Sequence, residues 1–240
     1  MSSYFLLGWV VLITHFLEGI TGFGCTVLAL PFAILLVGTK QAVPVLLFLA
    51  LLLAAYIVAI DWKRIVWKEF LKIVCFVGLG LPVGIFAFGH LNETALKYIL
   101  GVFMIAVAAR GLLSYVVRLN ENRLPGWVLN GLLVAGGFIH GVFSSGGPLV
   151  VIYAKKVLLD KSSFRATISM LWLSLNSVML AQNVVSGRMT AQIWEIIAVC
   201  LPFLLGGALA GNWAHRHIQD KYFSQLVYGV LLVSGGFMFS

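Results

Sequence analysis

The residues whose types could do chemistry gather in two short clusters within an otherwise apolar chain. One is Glu18-Gly19-Ile20-Thr21-Gly22-Phe23-Gly24; the other is His140-Gly141-Val142-Phe143-Ser144-Ser145-Gly146-Gly147-Pro148. Glycine interrupts the helical pattern at both, joined by serine at the second, and Pro148 suits the first turn of a new helix. A helix that starts at such a break presents unpaired N–H groups and about half a positive charge, so two facing starts make an anion site without any arginine. The expected donors are the Thr21 hydroxyl with the amides of Gly22, Phe23 and Gly24, and the Ser144 and Ser145 hydroxyls with the amides of Gly146 and Gly147. Tight helix packing is the competing role for the same glycines.

Glu18 is a carboxylate well inside a hydrophobic segment, where an ionisable group is costly unless it is paired or functional. In an alignment of the two clusters it falls opposite His140. A carboxylate and an imidazole near one tip could take and release a proton as an anion moves. The structural alternatives are that Glu18 caps backbone groups at the break and that His140 makes a packing hydrogen bond. His15, three residues before Glu18, shares its helical face and joins the proton-handling set, with packing as its alternative. Asn176 sits near the middle of a spanning run, where its amide needs partners from substrate or from a neighbouring helix.

These clusters need elements to hold them at depth. The chain has 240 residues, 61% hydrophobic and 10% charged, against about 25% charged in soluble domains. That composition predicts an all-α integral membrane protein, and the net charge of +8 belongs to loops rather than to nucleic-acid binding. The run from Tyr4 to Val37 would extend about 50 Å as one helix, too long for a single crossing of about 30 Å and too short for two. Broken at Gly19 to Gly24, it makes two half-helices that enter the bilayer and turn back. Gly126 to Leu159 repeats this, with the break at Gly141 to Gly147.

Six spanning runs accompany the hairpins, at 42–60, 70–89, 95–117, 164–185, 192–213 and 221–239. The order is hairpin and three spans, twice. Gly19 and Gly24 match Gly141 and Gly146 at a constant offset, and Pro82 matches Pro202 with a small gap. If each hairpin is re-entrant, only Lys40, Lys97 and Arg188 of the sixteen Lys and Arg fall on one side. The positive-inside rule then puts the other thirteen in the cytoplasm and both termini outside, in the periplasm of a bacterial inner membrane. Each half has an odd number of crossings, so residues 1–117 and 126–240 form two inverted repeats joined by a cytoplasmic linker at 118–125. This is an arrangement of secondary transporters, with broken helices meeting near the midplane.

Cys25, Cys75 and Cys200 lie singly in apolar segments and read as packing residues. No His-Glu-x-x-His motif is present and Asp and Glu number only eight, so an intramembrane enzyme, a metal site and a cofactor are not expected. An anion channel and a ligand-binding assembly subunit remain as competitors, and a homo-oligomer is left open.

Gly22-Phe23-Gly24 followed by Leu28-Ala29-Leu30-Pro31, then Gly141 to Pro148 with Tyr153, then Phe164-Arg165-Ala166-Thr167, resemble the TauE/SafE family of sulfite and organosulfonate transporters, which includes 4-toluene sulfonate uptake permeases. The resemblance covers the whole chain in length and two-half organisation, while its specific motifs cover about a quarter. It implies a secondary transporter, described as an exporter, for a small anion such as sulfite or a short sulfonate. The alternative it leaves is a channel or uptake permease for another oxyanion or carboxylate. The resemblance also directs attention to Arg165 as a substrate-binding residue. Read on its own, Arg165 at a span's cytoplasmic end steers anions or anchors at headgroups. The first break departs from the denser glycine run of some relatives, reading Gly-Phe-Gly-Cys.

Overall fold

The computed structural model describes residues 2–117 and 124–217. α1 (Ser2–Thr21) and α2 (Cys25–Val37) form a first hairpin, followed by α3 (Thr39–Asp61), a 3-10 turn at Trp62–Arg64, α4 (Trp67–His90) and α5 (Glu93–Val117). α6 (Gly126–Phe143) and α7 (Gly147–Val157) form a second hairpin, followed by α8 (Lys161–Val185) and α9 (Ala191–His215). Five of the expected spans fall within α3, α4, α5, α8 and α9. The run 221–239 and linker residues 118–123 lie outside the described residues. Seven described helices are long and apolar enough to cross a bilayer, which places the chain among multi-pass, all-α membrane proteins.

The hairpin arms are unequal, whereas the sequence suggests matched halves. α1 has 20 residues and α6 has 18, each of spanning length, against 13 in α2 and 11 in α7. The long arms persist because each lies along a partner helix. α1 runs beside α9 in the same direction, from a Gln192 Nε2 to Tyr4 Oη hydrogen bond of 3.1 Å at one end to His215 Nδ1 donating to the Ile20 carbonyl at 2.6 Å near the other.

Small residues allow these contacts. A methyl at Gly207 would lie 2.5 Å from the Leu12 carbonyl oxygen, and one at Gly211 2.5 Å from that of Phe16. Between α4 and α6 the fit is closer: a methyl at Gly80 would lie 2.0 Å from Val134 O, at Gly84 2.1 Å from Phe138 O, and at Gly137 2.0 Å from Val77 O. In lipid, where tails are as apolar as leucine, such backbone proximity supplies the van der Waals attraction that holds helices together. α3 packs on α8 between the two pairs. Exchanging the halves leaves this pattern intact, since α1 on α9 becomes α6 on α4 and α3 on α8 maps onto itself.

Contacts gather the turns at two ends. At one, Arg64 lies 4.0 Å from Asp160, the Val66 amide donates to Thr167 Oγ1 at 3.0 Å, and Tyr153 donates to Glu69 at 2.7 Å. At the other, the Thr39 amide donates to Glu93 at 3.0 Å and Gln41 to Gln192 at 3.0 Å, while Arg188 lies over the Phe88 ring at 5.4 Å. Tyr4 belongs to this second end through Gln192.

Candidate functional site

The first break begins where the Gly22 amide closes onto the Glu18 carbonyl at 2.6 Å and the chain turns out of α1. Gly22 has φ +82° and Gly24 φ +105°, a region that side chains rarely adopt. Gly22 is also crowded, since a methyl there would lie 3.0 Å from Arg165 Cα, whereas nothing lies within 4 Å of the same point at Gly24. Gly24 brings no side-chain cap to α2. Glu18 supplies one from the opposite arm, accepting the Cys25 amide on Oε2 at 2.7 Å. Of the roles the sequence leaves open for Glu18, this contact supplies the capping one. The Thr21 hydroxyl is engaged within the break, with the Leu17 carbonyl at 3.0 Å and that of Phe23 at 2.8 Å.

At the second break Ser144 adopts a left-handed conformation with φ +54°, alone among the described non-glycine residues. Such a conformation costs about 1 kcal/mol or more and concentrates at functional sites. Its amide donates to the His140 carbonyl at 2.7 Å, ending α6. Gly146 then passes so close to α6 that a methyl would lie 2.1 Å from the Gly136 carbonyl oxygen. Gly146 is a packing glycine, and Pro148 occupies the first turn of α7 as its sequence position suggests.

Both breaks open onto one shared cavity. From the first hairpin Glu18, Gly24, Thr26 and Val27 line it; from the second, His140, Ser144, Ser145, Gly147 and Pro148; α3 adds Ala50, and α8 adds Trp172 and Asn176. His140 Nε2 lies 2.9 Å from Asn176 Oδ1, and its ring stacks on Trp172 with centroids 5.2 Å apart. The Ser144 hydroxyl faces the Met179 sulfur at 3.9 Å. Two polar atoms of lining residues, Ser145 Oγ and His140 Nδ1, are buried without a partner. Unpaired buried polar atoms are rare and ask for an explanation.

Trp172 is the residue that reading the sequence misses. Its Nε1 donates to the Gly22 carbonyl at 3.0 Å, so one side chain ties the first break to the histidine of the second. The signal was available: Trp172 and Asn176 are four apart on one helix and share a face, and a buried indole N–H needs an acceptor.

Thr21, Gly22, Phe23, Gly146, Arg165 and His15 are not among the lining residues. The Phe23 ring meets Phe164 edge-on at 6.2 Å. His15 is fully buried and donates through Nδ1 to the Val11 carbonyl at 2.9 Å. The headgroup reading of Arg165 is corrected, because the residue is only 1% exposed. It points inward behind the first break, donating to Asn212 Oδ1 at 2.9 Å and lying 3.8 Å from Asp61. Asp61 and Asn212, drawn from α3 and α9, offset the burial of its charge.

The family model for the sulfite exporter TauE/SafE matches residues 6–238. A protein from Comamonas testosteroni named "Probable inner membrane transporter protein TsaS" is 23% identical over 177 residues, covering 73% of this chain and 73% of that protein. No solved structure matches. With the match extending over nearly the whole chain and seven helices of spanning length to carry it, this protein belongs to the TauE/SafE family of membrane transporters.

Proposed function

We propose that this protein is a secondary transporter that exports a small sulfur-containing anion, sulfite or a short organosulfonate, across the bacterial inner membrane by alternating access. The observation that carries this reading is the shared cavity: Gly24 and Glu18 of one break and Ser144, Ser145 and Gly147 of the other line the same space. The start of α2 and the start of α7 flank it, so two helix N-termini contribute partial positive charge beside hydroxyl donors. The family description supports a sulfur-anion substrate, and the relative's name supports an inner-membrane transporter.

In this reading residues 1–117 and 126–240 are halves related by inversion, with 118–125 as the cytoplasmic linker. Support comes from the turns. Arg64 beside Asp160 puts the α3–α4 and α7–α8 turns together, while Thr39, Arg188 and Tyr4 belong to the other end. The basic-rich end is cytoplasmic by the positive-inside rule and both termini are periplasmic. The coupling proton is handled at Glu18 or His140, the substrate rests between the hairpin tips, and the halves rock about it.

Flux of labelled sulfite into proteoliposomes containing the purified protein tests this. The expected result is saturable uptake with counterflow, stimulated by a pH gradient and inhibited by short sulfonates. Flux that does not saturate and shows no counterflow indicates an anion channel and overturns the transporter reading.

A further inference from the structure

The two unpartnered atoms in the cavity differ in kind. Ser145 is 3% exposed and its hydroxyl has a hydrogen to give. His140 is 2% exposed, and Nε2 must donate in its bond to Asn176, since Oδ1 can only accept. In the neutral ring this leaves Nδ1 as a bare acceptor, and no group among the described residues satisfies it. A fully ionised oxyanion offers acceptors only, so it can use Ser145 but not Nδ1. A ligand that retains one O–H can use both.

Resting on the anion-site reading above, we propose that the cavity selects a singly charged oxyanion still carrying an acidic hydroxyl, with that O–H on His140 Nδ1 and another oxygen on Ser145 Oγ. For sulfur oxyanions the bound form is hydrogensulfite rather than the sulfite dianion. The proton then travels on the substrate, and His140 serves as its reader rather than as a titrating relay. The cavity supports a single charge for a second reason. Among the described residues Glu18, from α1, is the only other titratable side chain lining it, and no Lys or Arg lines it to balance a dianion.

Calorimetric titration of the full-length protein in nanodiscs with sulfite and with methanesulfonate tests this, because methanesulfonate is a monoanion with no ionisable proton in the working range. Glu18 acts on both ligands, so the ratio of their affinities isolates the hydroxyl. The expected result is that apparent sulfite affinity falls relative to methanesulfonate by about tenfold per pH unit above the second ionisation of the acid. In His140→Phe, which keeps a ring against Trp172, that relative decline becomes shallower because Nδ1 no longer disfavours the dianion. Parallel pH profiles for the two ligands in the wild type, or an unchanged ratio in His140→Phe, overturn this inference. If Ser145→Ala weakens both ligands in that case, the anion site itself stands. If both ligands bind Ser145→Ala as tightly as wild type, the site reading falls and this inference with it.

Discussion

The indole Nε1–H of Trp172 donates to the carbonyl oxygen of Gly22 at 3.0 Å, and this bond couples the position of the first break to α8. The same ring stacks on His140, so a movement of either hairpin tip is felt at the other through one rigid side chain. Trp172→Phe keeps the stack and removes the donor, leaving a buried carbonyl without that bond at a cost of about 1–3 kcal/mol. The expected outcome is about a tenfold or greater loss of sulfite flux with the protein still folded. Flux assayed beside detergent melting temperature checks it, and wild-type flux would show that the bond does not hold the first tip.

Ser145 separates binding from packing. Its hydroxyl has no hydrogen-bond partner among the described residues, so Ser145→Ala leaves folding stability within about 0.5 kcal/mol. Anion affinity falls by about 1 kcal/mol, roughly fivefold. Chemical denaturation and calorimetry on the same preparation measure the two quantities. A loss of stability without a loss of affinity would make Ser145 a structural residue.

Gly84 and Gly141 belong to the opposite class. A methyl at Gly84 would lie 2.1 Å from Phe138 O, and at Gly141 2.4 Å from Leu81 O. Gly84→Ala and Gly141→Ala each destabilise by about 1–3 kcal/mol or more by forcing α4 and α6 apart. Gly146→Ala joins them because of the Gly136 carbonyl, and its transport defect follows from lost packing. Melting temperatures in detergent rank the three against Gly126→Ala, where nothing lies within 4 Å; equal temperatures throughout would contradict the packing account.

How much of this was legible from the residues divides along physical lines. Spans declare themselves through uninterrupted apolar length, and breaks through glycine and serine at depth, so the helix order and the ends near Thr21 and Phe143 could be read directly. The inequality of the hairpin arms could not, because it depends on which helix each arm lies against. Gly137 and Gly146 look alike in sequence to Gly24, yet two meet backbone from another element and one opens onto a cavity. Arg165 at the start of a span reads as an edge residue, and only the approach of Asp61 and Asn212 from elsewhere turns it inward.

Asp160 tests stability against pH outside the spans. Its carboxylate caps α8 by accepting the Ser163 amide at 2.8 Å, and that bond holds its pKa below the ordinary value of 3.8. A depressed folded pKa means that the cap stabilises fully above the unfolded pKa and is lost as pH falls through the folded one. Asp160→Ala therefore lowers the melting temperature at neutral pH, and the difference from wild type closes in acid. A gap that stays constant with pH would assign the effect to something other than the carboxylate charge.

Topology has its own test. Lys40 in the first turn of α3 and Lys63 in the 3-10 turn that follows α3 are both exposed. In a background without Cys25, Cys75 and Cys200, Lys40→Cys is expected to label from the periplasm and Lys63→Cys from the cytoplasm. Labelling both positions from one face would remove the inverted arrangement.

Glu18 carries two roles that one substitution can separate. Its Oε2 caps α2 through the Cys25 amide, and a glutamine keeps an acceptor oxygen of the same reach while removing the exchangeable proton. If Glu18 only caps, Glu18→Gln preserves folding and leaves the pH dependence of sulfite flux unchanged. If it carries the coupling proton, the variant still folds and binds the anion, but flux loses its response to an imposed pH gradient. Flux and binding measured together across the gradient decide between them, because a capping defect lowers stability and binding together whereas a coupling defect lowers only driven transport. Glu18→Ala, which removes cap and proton alike, is expected to lose both.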